Sequence, residues 1–385
     1  MASKVYLHIG APKTGTTYLQ QVMHANQDAL EAQGIRYAAG TFHNDRVWAT
    51  EVLRGFTFRN RPKQAPGAWD RILRQVREWD GPVVVSHEFF GACSAEQALR
   101  AHRDLAPAEV HLVFTARDYI SQAGAVWQER LKYGFAVPFS EFDLDNDTPV
   151  WSWRTQDVPA ILERWRHDLP PERVHVVTVP PPGSPPGLLW ERFSSVVGIG
   201  PEGVSTRIPA ANTSLGLVET ELLRRVDDRA WSVFETPRDR TRMLRDLLAN
   251  TVLARGSRER FTVTMPQAEE LVSRGREAVA LLEKAGYDVV GSLDELMPDA
   301  ELLSSRTPDD ATERELLDAA LDAIVGLLED AQRTRAPHRA HRRSDQGADT
   351  AKRPPVAGRT VATTAGPRAA LARVARAARR RLRRS

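Results

Sequence analysis

Three short stretches of this 385-residue chain hold residues whose types and spacing suit chemistry. The first is a lysine set among glycines and threonines. Val5-Tyr6-Leu7-His8-Ile9 is an apolar run, Gly10-Ala11-Pro12-Lys13-Thr14-Gly15 a turn, and Thr16-Thr17-Tyr18-Leu19-Gln20 the opening of a helix. Such a turn aims consecutive backbone N–H groups and a positive helix end at one point, where a phosphate or sulfate can sit. Against the triphosphate-binding pattern G-x-x-x-x-G-K-[ST], the glycines fit as Gly10 and Gly15 and the final hydroxyl as Thr17. Thr16 stands where the lysine belongs, and the loop's cation, Lys13, comes three residues earlier. A lysine so displaced is out of place for a β/γ-phosphate pair, so this loop must hold another kind of anion.

The second stretch is Val110-His111-Leu112-Val113-Phe114-Thr115-Ala116-Arg117-Asp118, an apolar run ending in an arginine and followed by a helical pattern through Trp127 and Lys132. The planar donor fork of Arg117 suits phosphate; an ion pair with Asp118 is its plainer role. The third is Pro82-Val83-Val84-Val85-Ser86-His87-Glu88, a β-branched run breaking into polar residues. His87 titrates near neutrality and can take a proton from a hydroxyl. Glu88 is the rival base. Alternation along a strand points neighbours to opposite faces, so one of the two is expected to reach a reacting atom. His8 and His111 lie inside apolar runs and are expected to be packed or hydrogen-bonded.

The run Pro12-Lys13-Thr14-Gly15-Thr16-Thr17 resembles the 5′-phosphosulfate loop of the sulfotransferases that use 3′-phosphoadenosine-5′-phosphosulfate (PAPS) as donor. The resemblance implies that Lys13 contacts the oxygen bridging phosphate and sulfate. It implies that Thr14, Gly15, Thr16 and Thr17 donate to the 5′-phosphate, and that Tyr18 packs on adenine. The Arg117 stretch is similar to the same family's 3′-phosphate element. There the family's serine usually falls eight residues after the arginine, and this chain has Ala125 at that place with Ser121 out of register. Ser86-His87 looks like the strand end that carries the family's histidine base, and other branches use a glutamate, here Glu88. The resemblance spans roughly the first 200 residues. It implies sulfuryl transfer from PAPS to an acceptor hydroxyl or amine without a metal, through Lys13, Arg117 and His87 or Glu88. A noncatalytic protein that keeps the nucleotide loop is the alternative from another class. A P-loop NTPase or kinase would need the missing lysine.

The elements that must position these residues follow from the pattern. Apolar runs near 4–9, 83–86, 110–115 and 174–179 read as strands. Helical stretches near 16–32, 68–79, 94–104, 121–132 and 158–168 lie between them. Alternating strands and helices predict an α/β, P-loop-like, doubly wound and mainly parallel sheet, with Lys13, His87 and Arg117 along its carboxyl edge. Pro180-Pro181-Pro182-Gly183-Ser184-Pro185-Pro186-Gly187 is a stiff connector. Beyond it, 215–229, 238–255 and 266–285 have helical spacing, with Asn212, Thr213 or Ser214 as a cap. Three parts are expected: a core over 1–200, a helical extension over 201–330, and a tail over 331–385. Between Tyr133 and Trp153, aromatics mixed with acids predict a long loop that lines an acceptor pocket or covers the core.

Charge divides the chain unevenly. From Ala331 onward it carries 16 Lys+Arg and 2 Asp+Glu, a net +14, and the remainder carries −11 within an overall +3. The tail from about Gln332 is expected to lack structure, with a basic helix over 368–384. That helix would suit an anionic membrane surface, nucleic acid without sequence preference, or the acidic body in trans. A solvated tail is the plainest reading. One cysteine, Cys93, excludes an intramolecular disulfide and fits a reducing compartment. The absence of a leader pattern, of a membrane-length apolar run and of a Cys/His cluster predicts a cytoplasmic protein without structural zinc. The excess of arginine over lysine suggests a bacterial gene.

Overall fold

The structure is a computed structural model. Its described residues are 1–59, 61–143, 145, 152–208, 214–303 and 305–347, without the side chains of 237 and 334–347. The chain forms two compact units, Met1–Leu328 and Glu329–Ser385. In chain order the elements are β1 (Lys4–His8), α1 (Thr16–Ala25), α2 (Gln27–Ala32), β2 (Arg36–Tyr37), α3 (Asp45–Leu53), α4 (Ala68–Arg77), β3 (Val83–Ser86), α5 (Ala95–Leu105) and β4 (Glu109–Ala116). There follow α6 (Tyr119–Lys132), α7 (Val158–Arg166), β5 (Val174–Thr178), α8 (Leu188–Val197), α9 (Leu217–Arg229) and α10 (Pro237–Arg240). The chain goes on through a π-helix (Thr241–Val252) to α11 (Met265–Ala285), β6 (Asp288–Val290), α12 (Ala300–Leu303) and α13 (Glu313–Gly347).

The six strands make one parallel sheet in the order β2-β3-β1-β4-β5-β6. Every residue of β3 and β5 is buried, as expected of parallel strands covered on both faces. One face packs Val5, Leu7, Val83, Val85, Leu112 and Phe114 against α4, α5, α6, α7 and α11. The other packs Tyr6, Val84, Val113 and Val177 against Leu19, Val22 and Met23 of α1 and Trp190 and Phe193 of α8. β1 stands centrally between β3 and β4. The loops after these three strands therefore meet at the same carboxyl edge, where open parallel sheets bind ligands.

Four strands lie where apolar runs place them. β2 and β6 are additional, and β6 brings residues beyond 200 into the sheet beside β5. The helix expected over 16–32 is two helices, α1 and α2, separated by Asn26. Its amide donates to Val22 O at 2.7 Å and Ser205 O at 2.9 Å, and its oxygen accepts from Ser205 N. The stretch expected as one helix over 238–255 is α10, the π-helix and a 3-10 turn, Leu253–Arg255. The tail expected to be unstructured from Gln332 is helical as far as Gly347, in a sequence rich in the helix formers Ala, Arg and Gln. Residues 348–385, with the expected helix over 368–384, lie outside the described residues, as do Asn212 and Thr213. Within the expected long loop, Phe139 stacks on Trp127 with ring centroids 4.5 Å apart, and Phe139 and Phe142 are buried. Asp145 takes both Nη atoms of Arg274, and Arg274 lies over Trp153. Trp151 and Asp147 of that stretch lie outside the described residues. Among the described residues no helix is long and apolar enough to cross a membrane.

Candidate functional site

The turn after β1 is held from below and from the side. His8, the last residue of β1, is fully buried and joins three strands: Nδ1 meets Ser86 Oγ of β3 at 2.8 Å and Nε2 meets Thr115 Oγ1 of β4 at 3.3 Å. Burial drives its imidazole down to about 4, against the pull of Glu88. The ring is therefore neutral at physiological pH and acts as a strut. Gly10 has φ +132°, and a Cβ there would stand 3.0 Å from Glu88 O. Glycine at this position lets the β1 turn and the His87–Glu88 turn touch. The two are also stitched by His87 N to His8 O (3.1 Å) and Gly91 N to Ile9 O (2.8 Å).

The carbonyls of the turn find partners inside the protein. Thr115 N and Oγ1 donate to Gly10 O at 2.7 and 3.0 Å, and Gln122 Nε2 of α6 donates to Pro12 O at 3.0 Å. The Thr14 hydroxyl donates to Ala11 O at 2.5 Å and faces Thr115 Oγ1 at 2.5 Å, so it is committed to the turn itself. Lys13 (φ 67°) and Gly15 (φ 83°) both take the left-handed conformation. For lysine that is an uncommon backbone state, found where the surroundings impose it. Gly15 precedes α1, and no side chain caps that helix. The first N–H groups of α1 are thus left without a side-chain cap at the positive end of a ten-residue helix. Thr17 is exposed, Thr16 buried and Tyr18 half-buried against the apolar cluster that Leu189 also joins. Burial, with Glu191 adding to it, raises the Tyr18 phenol.

Lys13 reaches across to α6. Its Nζ lies 3.0 Å from Glu129 Oε2, and the same oxygen is 3.6 Å from Lys132 Nζ. Burial pushes the Glu129 carboxyl up, but the two lysines outweigh it and hold the group below its ordinary range. Burial lowers the Lys132 ammonium, with Glu129 opposing. Sequence reasoning did not single out Glu129 and Lys132. Their spacing on α6 is ordinary helical spacing, and only the packing of α6 against the turn gives them meaning.

His87 and Glu88 follow β3 and begin a short 3-10 turn, Glu88–Ala92. His87 is 5% exposed, and its Nδ1 accepts the Phe89 N–H at 3.2 Å. A neutral ring that accepts at Nδ1 carries its proton on Nε2, so neither nitrogen offers a free lone pair. Burial also lowers its imidazole. The Glu88 side chain is 18% exposed; Gln20 Nε2 of α1 donates to its Oε2 at 3.2 Å, and His87 Nδ1 stands 3.9 Å away. Burial pushes the Glu88 carboxyl up, yet the net direction is down, with hydrogen bonds from a backbone donor and Gln20 among the opposing causes. Glu88 is accordingly ionised at neutral pH and holds the freer lone pairs of the two.

Arg117 follows β4. Asp118 caps α6 by accepting from Ser121 N at 2.7 Å, and stands 3.9 Å from Arg117 Nε, wider than a close ion pair. Burial lowers the Arg117 guanidinium, and Arg260 contributes in the same sense. Arg117 lines two cavities of about 400 and 590 Å³. Ser121 and Arg260 line both; Ala125 and Arg258 line the smaller, and Pro180–Pro182 the larger. Ser121, out of register in the sequence, thus shares a cavity wall with Ala125 one helical turn on. Arg258 and Arg260 were missed because their segment has no periodicity to read. Asp299 pairs with Arg260 at 3.0 Å.

Three adjacent strand ends therefore carry a hydrogen-bonded turn with uncapped helix N–H groups and a lysine, an ionised carboxylate beside a buried histidine, and arginines lining a cavity. No protein-family model, curated protein or solved structure matches this chain.

Proposed function

We propose that this chain is a PAPS-dependent sulfotransferase on a P-loop-like core. The observation that carries the reading is the turn before α1, which sets its cation at Lys13, away from the position that serves a β/γ-phosphate pair, while leaving the helix N–H groups uncapped. The 5′-phosphate would rest on the N–H groups of Thr14 through Thr17 and on the Thr17 hydroxyl. Lys13 would face the bridging oxygen. Arg117, with Ser121, Arg258 and Arg260 along the same cavities, would take the 3′-phosphate and supply donors that Ala125 lacks. Tyr18 would border the adenine.

In the reaction an acceptor hydroxyl or amine attacks sulfur as the bond from sulfur to the bridging oxygen breaks. That bond's electron pair stays on the oxygen of the departing adenosine 3′,5′-bisphosphate, where a fixed cation and oriented amides stabilise it. The acceptor's proton goes to Glu88, favoured over His87 because His87 Nδ1 is already engaged by the Phe89 N–H. His87 positions the turn. Nothing in this scheme calls on a metal. The acceptor is a small molecule, glycan or lipid in the cytoplasm or at its membrane face.

PAPS labelled in its sulfur and incubated with the purified chain and a small-molecule extract tests the reading. Transfer of label to an extract component, abolished in Lys13→Ala, supports it. Retention of all label on the donor, with bisphosphate still bound, would favour a nucleotide-binding protein without transferase activity.

A further inference from the structure

Two ammonium groups converge on one carboxylate oxygen beside the nucleotide turn. Lys13 Nζ is 3.0 Å and Lys132 Nζ 3.6 Å from Glu129 Oε2, and the side chains of Lys13, Glu129 and Lys132 are 25%, 14% and 4% exposed. The trio carries a net positive charge, and the guanidinium of Arg245 also acts on both Glu129 and Lys132. Arg245 is itself paired with Asp246 at 2.9 Å. Burying excess charge is costly unless a counter-ion completes the set. The 3.6 Å separation is too wide for a full hydrogen bond, which leaves Lys132 less satisfied than Lys13 at 3.0 Å. Lys132 ends α6, the helix whose Gln122 anchors the turn at Pro12, so its position relative to Lys13 is fixed by one rigid element.

We propose that Lys132 is a second binding cation for the oxyanion at the transfer point, and that Glu129 holds both lysines until that oxyanion arrives. This rests on the sulfotransferase reading and adds to it a residue from outside the loop. Negative charge on the donor then replaces the share that Glu129 gives to Lys13, and Lys132 swings its donors toward the sulfuryl oxygens. Glu129 is a positioning residue in this scheme. It competes with the anion for the cations as well as aligning them, so its removal, unlike that of Lys132, should not weaken binding.

Calorimetric titration of the full chain with adenosine 3′,5′-bisphosphate and with PAPS tests the proposal. Lys132→Met should weaken both about tenfold or more, the scale of one lost charge-assisted hydrogen bond, with an unchanged melting temperature. Glu129→Gln should leave binding equal or tighter. Glu129→Asp should restore the wild-type balance. Wild-type affinity in Lys132→Met, or weaker binding in Glu129→Gln, would overturn the proposal and leave the sulfotransferase reading intact. Should Lys132→Met fail to fold, the Glu129→Gln titration decides alone. If the wild-type chain binds neither ligand, the sulfotransferase reading fails and takes this proposal with it.

Discussion

The two ends of the sheet treat their polar residues in opposite ways. At the amino end, Glu109, His111, His175 and Asp288 form a closed chain across three strands. Glu109 Oε1 meets His111 Nε2 at 2.8 Å, His111 Nδ1 meets His175 Nε2 at 2.9 Å, and His175 Nδ1 meets Asp288 Oδ2 at 2.6 Å. The imidazoles stack 5.2 Å apart, and each ring nitrogen has a partner. At the carboxyl end His8 is just as fully paired, yet above it the turn presents uncapped helix N–H groups, two lysines share one acid, and guanidinium groups line cavities. Histidines in strands are thus no guide to function by themselves. Uncapped helix N–H groups and cations gathered around few acids set the carboxyl end, where the proposed site lies, apart from the amino end.

Under the proposed reaction, the sharpest contrast between the two ends is expected in turnover. Lys13→Ala should lower PAPS-dependent turnover by about 10²–10³, the scale of losing a fixed charge at a developing oxyanion. Glu88→Gln should cost about 10² or more, as expected for a general base. His87→Ala should retain nucleotide binding and lose less turnover than Glu88→Gln; the reverse order in single-turnover assays would assign the proton to His87.

A binding contrast comes next. Arg117→Ala and Arg260→Ala should each weaken bisphosphate about tenfold while leaving ADP affinity unchanged, since ADP lacks the 3′-phosphate their charge-assisted bonds would meet. Equal weakening of both ligands in calorimetry would move the arginine cluster away from the 3′ end.

Stability against pH probes the strut beneath the turn. His8 binds its proton only near pH 4 in the folded chain, against 6.5 when unfolded. The unfolded state therefore holds more protons between these values, and stability falls as pH drops through that window, by about 3 kcal/mol in full. Denaturant titrations from pH 7 to 4 should show this fall, and it should shrink in His8→Gln. At the amino end, His175→Gln should cost about 1–2 kcal/mol by opening the imidazole chain, without altering bisphosphate affinity. An altered affinity would erase the distinction between the two ends.

Much of this arrangement is legible in the sequence where burial imposes a pattern. The run Val83-Val84-Val85 announces a strand covered on both faces, and Gly10, Lys13 and Gly15 mark the turn. β2 and β6 escape notice because two or three residues carry no period. Arg36 and Tyr37 become a strand only by pairing with Val83 and Val84. The π-helix is hidden for a related reason: Leu244, Leu248, Ala249 and Val252 are buried, and their spacing reads equally well as ordinary helix. In the site, residues within one turn can be read together, while partners brought from afar cannot. Nothing local ties Glu129 to Lys13 across 116 positions, or Arg260 to Arg117. The preference for Glu88 in the proposed reaction rests on the Phe89 N–H bond to His87, which side-chain identities do not encode.

The central claim is that the turn around Lys13 grips a bisphosphorylated adenosine, not a triphosphate. Calorimetric titration of the purified chain with adenosine 3′,5′-bisphosphate, alongside ATP with magnesium, tests it most directly. The account predicts saturable binding of the bisphosphate, lost in Lys13→Ala, and far weaker binding of ATP. Tight binding or hydrolysis of magnesium ATP, with no heat from the bisphosphate, would contradict it.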